Sequence, residues 1–200
     1  MICSLAEILK KMEKNLDSYT REKLTINMLV ATVFSLVIFV LAFAVFIGAY
    51  YLIYGMEGIE VVRNASWIQE LVFLLVLVAG VVLHELVHGI CWSQCVDGGW
   101  KMIKFGVMWK SLSPYCHCSE PMKVRNYKFG ALAPLFVVGV FPAVISLLVG
   151  SFGLLLFGAM FIAGAAGDIM VVWTLRHTKA DDYVEDHPSE AGCWIYREKN

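Results

Sequence analysis

The chain has 200 residues, of which 59% are hydrophobic and 16% charged, with a formal net charge of −1. A soluble domain carries roughly 45–50% apolar and about 25% charged residues, so this composition, with a mean hydropathy of +0.69, excludes an ordinary soluble protein and a disordered one. The balanced charge argues against a nucleic-acid partner, and six cysteines in 200 residues are too few for a disulfide scaffold.

In residues 1–25, Ile2, Leu5, Ile8, Leu9, Met12 and Leu16 recur at helical spacing among charges. That pattern predicts an amphipathic helix on the inner membrane surface. Its polar stretch is too long for a cleavable signal peptide, as is the apolar stretch that follows.

Residues 24–56 contain no charge over 33 positions, more than the ~20 apolar residues that cross a bilayer. A first span is predicted at about 27–53 and a second at about 68–92. Residues 129–167 are again uncharged, over 39 positions, which as one helix would reach ~58 Å. Gly150-Ser151-Phe152-Gly153 is the natural break, giving a third span at about 130–149 and a fourth at about 153–175. Pro134 and Pro142 predict a kink in the third.

Between the second and third spans, the 93–128 loop mixes alternation with β-favouring residues at 102–110, has a turn at Ser113-Pro114 and a return strand at 115–119. It reads as a small hairpin. With four spans, the N-terminus, this loop and the tail lie on one side, which holds fifteen of the sixteen Lys and Arg residues. That bias assigns both termini and the hairpin to the cytoplasm. The expected architecture is an all-α membrane protein of four transmembrane helices, with a small cytoplasmic β-hairpin and an N-terminal amphipathic helix. It divides into residues 1–25, a transmembrane unit at 26–176 and a cytoplasmic tail at 177–200.

The chemistry lies within the spans. Residues 84–89 read His-Glu-Leu-Val-His-Gly. On a helix His84 and His88 are one turn apart, so both imidazoles can reach one metal ion, and the adjacent Glu85 can take a proton from a metal-bound water. Ionisable groups inside a bilayer cost at least ~2.5–3.5 kcal/mol each on insertion scales, and a shared cation answers that cost for all three. Across the other spans the one charged residue is Asp168. Glu85 lies fifteen residues after Glu70 and Asp168 fifteen after Gly153, both ~22 Å along their helices from the outer end. The two spans run in the same direction, so Asp168 stands at the height of Glu85 and is the candidate third ligand. Gly80, Gly164, Ala165, Ala166 and Gly167 are expected to let the helices approach closely.

His117, between Cys116 and Cys118, is the rival third ligand or an additional site residue. Cys91 and Cys95 are expected to be reduced. The polar stretch at 186–190 offers no metal geometry.

On these residues the chain resembles a bacterial family of membrane proteins described as zincin peptidases and, more distantly, the site-2 proteases, which are intramembrane metalloproteases. The features that carry the resemblance are the 84–89 motif, the basic loop with Pro114-Tyr115-Cys116-His117-Cys118, the proline-containing third span, Gly167-Asp168, and the tail from Asp186 to Cys193. It covers about residues 70–196. It implies that His84, His88 and Asp168 bind one zinc ion per chain, that Glu85 is the catalytic base, and that the hairpin presents substrate as an added strand. Against site-2 proteases, Gly167 precedes Asp168 rather than following it, and Ala133-Pro134 stands where a Gly-Pro pair is usual.

The expected activity is that of a zinc-dependent endopeptidase, multi-pass in a bacterial cell membrane. It would act on a membrane protein or peptide substrate at the cytoplasmic side, with the lipid bilayer and that substrate as partners. The alternatives from other classes are a non-catalytic membrane metal-binding or transport protein and an inactive adaptor that keeps the fold.

Overall fold

The computed structural model describes residues 19–109, 113–186 and 192–198. A strand, β1 (Tyr19–Thr25), leads into α1 (Met28–Tyr54), which opens on the Asn27 side chain accepting the Leu29 and Val30 N–H groups at 2.9 and 3.3 Å. A short α2 (Glu57–Arg63) follows. Next, α3 (Trp67–Ser93) starts from a reciprocal cap between Ser66 and Gln69. The chain then forms the hairpin β2 (Ile103–Met108) and β3 (Ser113–Cys118), a two-residue β4 (Met122–Lys123), α4 (Val124–Pro134) and α5 (Phe141–Val149). It continues through α6 (Phe152–Gly164), α7 (Ala166–Thr174), β5 (Tyr183–Asp186) and β6 (Gly192–Glu198).

Four helical segments are long and apolar enough to cross a membrane: Leu29–Tyr54, Trp67–Ser93, Val124–Val149 and Phe152–His177. They match the expected spans within a few residues, the third beginning earlier than the predicted 130. Their outward faces are lined by large exposed apolar side chains such as Leu36, Leu52, Leu74, Val82 and Leu148, far more than a water-facing monomer carries.

The third segment changes its hydrogen-bond pattern between its two prolines. Pro142 has no N–H to continue the ladder. Residues 135–140 accordingly take a π-helical turn, in which the Phe141 N–H reaches the Phe136 carbonyl, five residues back. Gly150, at φ 69°, ends α5 in the left-handed conformation. Of the glycines the sequence singles out, Gly80 lies at a close approach, where a Cβ would collide with the Phe161 and Phe157 rings, and two further close approaches use other glycines. A Cβ at Gly139 would meet the Ile162 backbone N at 3.0 Å, and one at Gly158 the Ala143 backbone N at 2.5 Å. At Gly164 and Gly167 a Cβ would meet nothing within 4 Å, whereas Ala165 and Ala166 are buried. The expectation that those two glycines permit the contact is therefore corrected.

The all-α reading is also corrected. Strands β1, β6, β5 and β4 form a four-stranded antiparallel sheet in that order, with Tyr19 opposite Glu198, Thr25 opposite Gly192 and Val184 opposite both Met122 and Ile195. Of the predicted N-terminal amphipathic helix, residues 1–18 lie outside the described residues, and 19–25 are strand instead. Alternation explains the sheet: Cys193, Ile195 and Val184 point into a core with Trp92, Tyr127, Met122 and Leu175, while Trp194 and Arg21 lie together on the other face, with the guanidinium 3.8 Å from the ring centroid.

The hairpin forms, with Ile103 opposite Cys118 and Met108 opposite Ser113, but Ser113 and Pro114, expected as its turn, are paired in β3, and the connection falls before them. The hairpin lies along α3. Cys118 packs in the core beside Trp92, Ile103 and Phe105 contact the bare backbone at Gly89, and the Cys116 N–H reaches the Glu85 carboxylate. From Cys118 to Cys116 the strand thus climbs α3 from its end toward the HExxH motif.

Candidate metal centre

One stripe of α3 turns inward. Gly80, His84, His88 and Trp92, each four residues apart, are buried together with Val87, while Val82, Leu83, Leu86 and Ile90 are exposed. This is the helical period acting on a sequence whose polar side chains need an interior partner. His84 and His88 are 9% and 4% exposed. Gly80 leaves room for the Phe157 and Phe161 rings beside His84.

Asp168 supplies the partner from the fourth segment. The helix is interrupted at Ala165, and Asp168 falls in the first turn of α7, where the N–H end of a helix favours an anion. The His84 Nε2 lies 3.2 Å from Asp168 Oδ2, and the His88 Nε2 lies 3.4 Å from Asp168 Oδ1. One ligand atom from each of the three residues falls within 4.8 Å of the others. Ligands bound to zinc tetrahedrally at ~2.0–2.2 Å stand about 3.3–3.5 Å apart, close to the two observed His–Asp spacings, each of which runs to a different oxygen of Asp168. The residues therefore fit the metal by donor chemistry and by spacing. The Asp168 side chain is 25% exposed, which leaves one side of the group open.

The imidazole of His88 is held on three sides. Its Nδ1–H donates to the Gly130 carbonyl at 2.9 Å, which fixes the tautomer and leaves Nε2 with its lone pair toward the metal position. Its ring stacks on Trp92 at 5.0 Å, and Trp92 stacks on Tyr127 at 5.2 Å. The Trp92 Nε1–H donates to the Tyr127 carbonyl at 3.3 Å. A Cβ on residue 130 would collide with the Trp92 indole, so only glycine lets the carbonyl and the indole both reach their places.

Of the residues predicted for the site, His84, His88 and Asp168 come together. Glu85 is half-buried next to them, its carboxylate receiving the Cys116 N–H. His117 does not join the group: its Nδ1 is 3.7 Å from Asp186 Oδ2. Asp186, in the polar stretch that offers no metal geometry of its own, is half-buried against β3, its side chain 12% exposed. Its Oδ1 accepts the Tyr127 hydroxyl at 2.6 Å and its Oδ2 the Cys118 N–H at 3.1 Å. Burial raises its carboxyl above the ordinary range, against the pull of those two donors. Among the described residues no cysteine joins the group either. Burial pushes the Cys118 thiol up to about 11, the Cys193 thiol up to about 12, and Cys116 above the ordinary range too, so they stay protonated and poor metal donors.

Fold and site define a mostly helical protein with four bilayer-length helices and, between two of them, a His-His-Asp group that could hold a metal ion. The profile of the family described as "Putative zincin peptidase" matches residues 77–183. That is more than half of the chain, and the chain belongs to this family. The family description suggests a zinc-dependent peptidase, in agreement with the donor set. The match holds the three metal-group residues, Glu85 and the whole hairpin, and it ends before Asp186. No curated protein and no solved structure matches the chain.

Proposed function

We propose that the protein is a zinc-dependent endopeptidase that crosses the membrane four times, with both termini cytoplasmic. It cuts a membrane protein or peptide at or within the cytoplasmic side. The observation that carries this reading is the convergence of His84 Nε2, His88 Nε2 and the Asp168 carboxylate at zinc-ligand spacing, with Glu85 beside them. The motif lies five to nine residues before the end of α3 at Ser93, ~8–14 Å along the helix. The side assignment is supported by fifteen of sixteen basic residues falling on the termini and the hairpin loop.

Bound zinc would lower the pKa of a coordinated water toward ~7 and polarise the scissile carbonyl. Glu85 takes the proton from the attacking water and delivers it to the leaving amine. His88, with Nδ1–H committed to Gly130, keeps Nε2 free as a ligand. Asp168 offsets positive charge in the site and completes the ligand set. A substrate helix must unwind to expose its peptide bond. The hairpin, whose β3 edge runs beside Glu85, is the element suited to hold it extended, as the likeness to site-2 proteases implies.

The test is Glu85→Gln, read for bound zinc and for cleavage of a membrane substrate. Zinc retained with cleavage lost is the expected result. Zinc retained with cleavage unchanged would remove the peptidase reading and favour a metal-binding role.

A further inference from the structure

The geometry points to Asp186 as a positioning residue of the metal centre, one that acts without touching a ligand. The inference rests on the roles proposed for His88 and Glu85. Asp186 joins three elements: its two carboxylate oxygens take the Tyr127 hydroxyl from α4 and the Cys118 N–H from β3, and His117 stands 3.7 Å away.

Two routes lead from it to the site. Through Tyr127 it fixes the ring on which Trp92 stacks, and Trp92 in turn backs His88. Tyr127 also precedes by three residues Gly130, whose carbonyl orients the same imidazole. Through Cys118 it fixes the edge of β3. Two residues further on, the Cys116 N–H meets Glu85, ~7 Å along an extended strand. Of two successive outward N–H groups of β3, that of Cys118 is thus held by the Asp186 carboxylate from the sheet, and that of Cys116 faces the Glu85 carboxylate from the motif helix. The Asp186 contacts set where that strand lies against the motif.

The test uses the full-length protein in detergent, loaded with Co²⁺ as a coloured probe and, separately, titrated with Zn²⁺. Asp186→Asn keeps the shape but removes the negative charge behind both bonds and turns one acceptor into a donor, so that serving the Cys118 N–H forces the Tyr127 hydroxyl to accept rather than donate. Its visible cobalt bands are expected to shift and its zinc affinity to fall ~10–100-fold, the range for lost support behind a ligand. Tyr127→Phe, which keeps the ring, is expected to give a smaller shift in the bands and decides the matter if Asp186→Asn does not accumulate. Asp181→Asn, at an exposed carboxylate paired with Lys123 at 3.0 Å, should leave bands and affinity unchanged. Unaltered bands and affinity in both Asp186→Asn and Tyr127→Phe would overturn the inference. Absence of peptide cleavage by the unaltered protein would overturn the peptidase reading alone, because the cobalt and zinc readouts judge Asp186 without it.

Discussion

Replacing Gly130 with alanine tests how the metal centre is oriented. The new Cβ falls on the Trp92 indole, overlapping its Nε1 and Cδ1 and standing 3.2 Å from Cε2. Reaching ordinary contact at ~3.5 Å requires the indole or the α4 backbone to retreat by on the order of 1 Å. Either movement has consequences at His88. If the indole moves, its 3.3 Å bond to the Tyr127 carbonyl and its stack on His88 are lost. If the backbone moves, the 2.9 Å bond from His88 Nδ1 to the Gly130 carbonyl lengthens past the hydrogen-bond range. Overpacking of this kind costs about 1–3 kcal/mol of stability, and loss of the support behind a histidine ligand costs ~10–100-fold in metal affinity. The assay is a competitive zinc titration of the purified variant against a chromophoric chelator, paired with thermal unfolding. Gly164→Ala is the control, because a Cβ there meets nothing within 4 Å. Zinc binding by Gly130→Ala equal to that of the unaltered protein would refute the claim that this carbonyl aims His88.

Two further predictions follow from the same geometry. Asp168→Ala removes the carboxylate that meets both Nε2 atoms and should weaken zinc binding by more than the ~100-fold upper range for indirect supports; full occupancy measured by elemental analysis would remove Asp168 from the ligand set. Cys118 and Cys193, with thiols raised to about 11 and about 12, expose only ~10⁻³ and ~10⁻⁴ of their thiolate at pH 8. Mass-spectrometric alkylation of the folded protein should therefore be slow at pH 8 and accelerate as pH rises toward those values; rates at pH 8 equal to those of the unfolded chain would contradict the burial.

Much of the site was legible because its logic is one-dimensional. The four-residue spacing of His84 and His88 is a helical repeat. Asp168 was found by counting equal helix lengths inward from Glu70 and Gly153. The hairpin announced itself by alternation, while Ser113-Pro114, which read as its turn, belongs to the return strand. The sheet was not legible in the same way, because β1 pairs with a strand more than 160 residues away and no local period encodes that distance. A signal did exist in Cys193-Trp194-Ile195-Tyr196, a run of apolar and aromatic residues of the kind strands favour, with alternate members facing the core. Asp186 and Tyr127 escaped for a related reason: a carboxylate in a polar tail acquires its meaning only when the sheet carries it under β3. Gly130 was equally silent, since its demand comes from an indole 38 positions earlier. Gly164 and Gly167 misled in the opposite sense, because small residues near a site permit a close approach without showing that one occurs there.

X-ray absorption at the zinc edge of the purified protein examines the ligand set most directly. The expected spectrum is one zinc per chain with a first shell of nitrogen and oxygen alone at ~2.0–2.2 Å, two imidazoles among them, and loss of the imidazole signature on replacing His84 and His88. A sulfur shell at ~2.3 Å, or zinc that survives those replacements, would contradict a centre built from His84, His88 and Asp168.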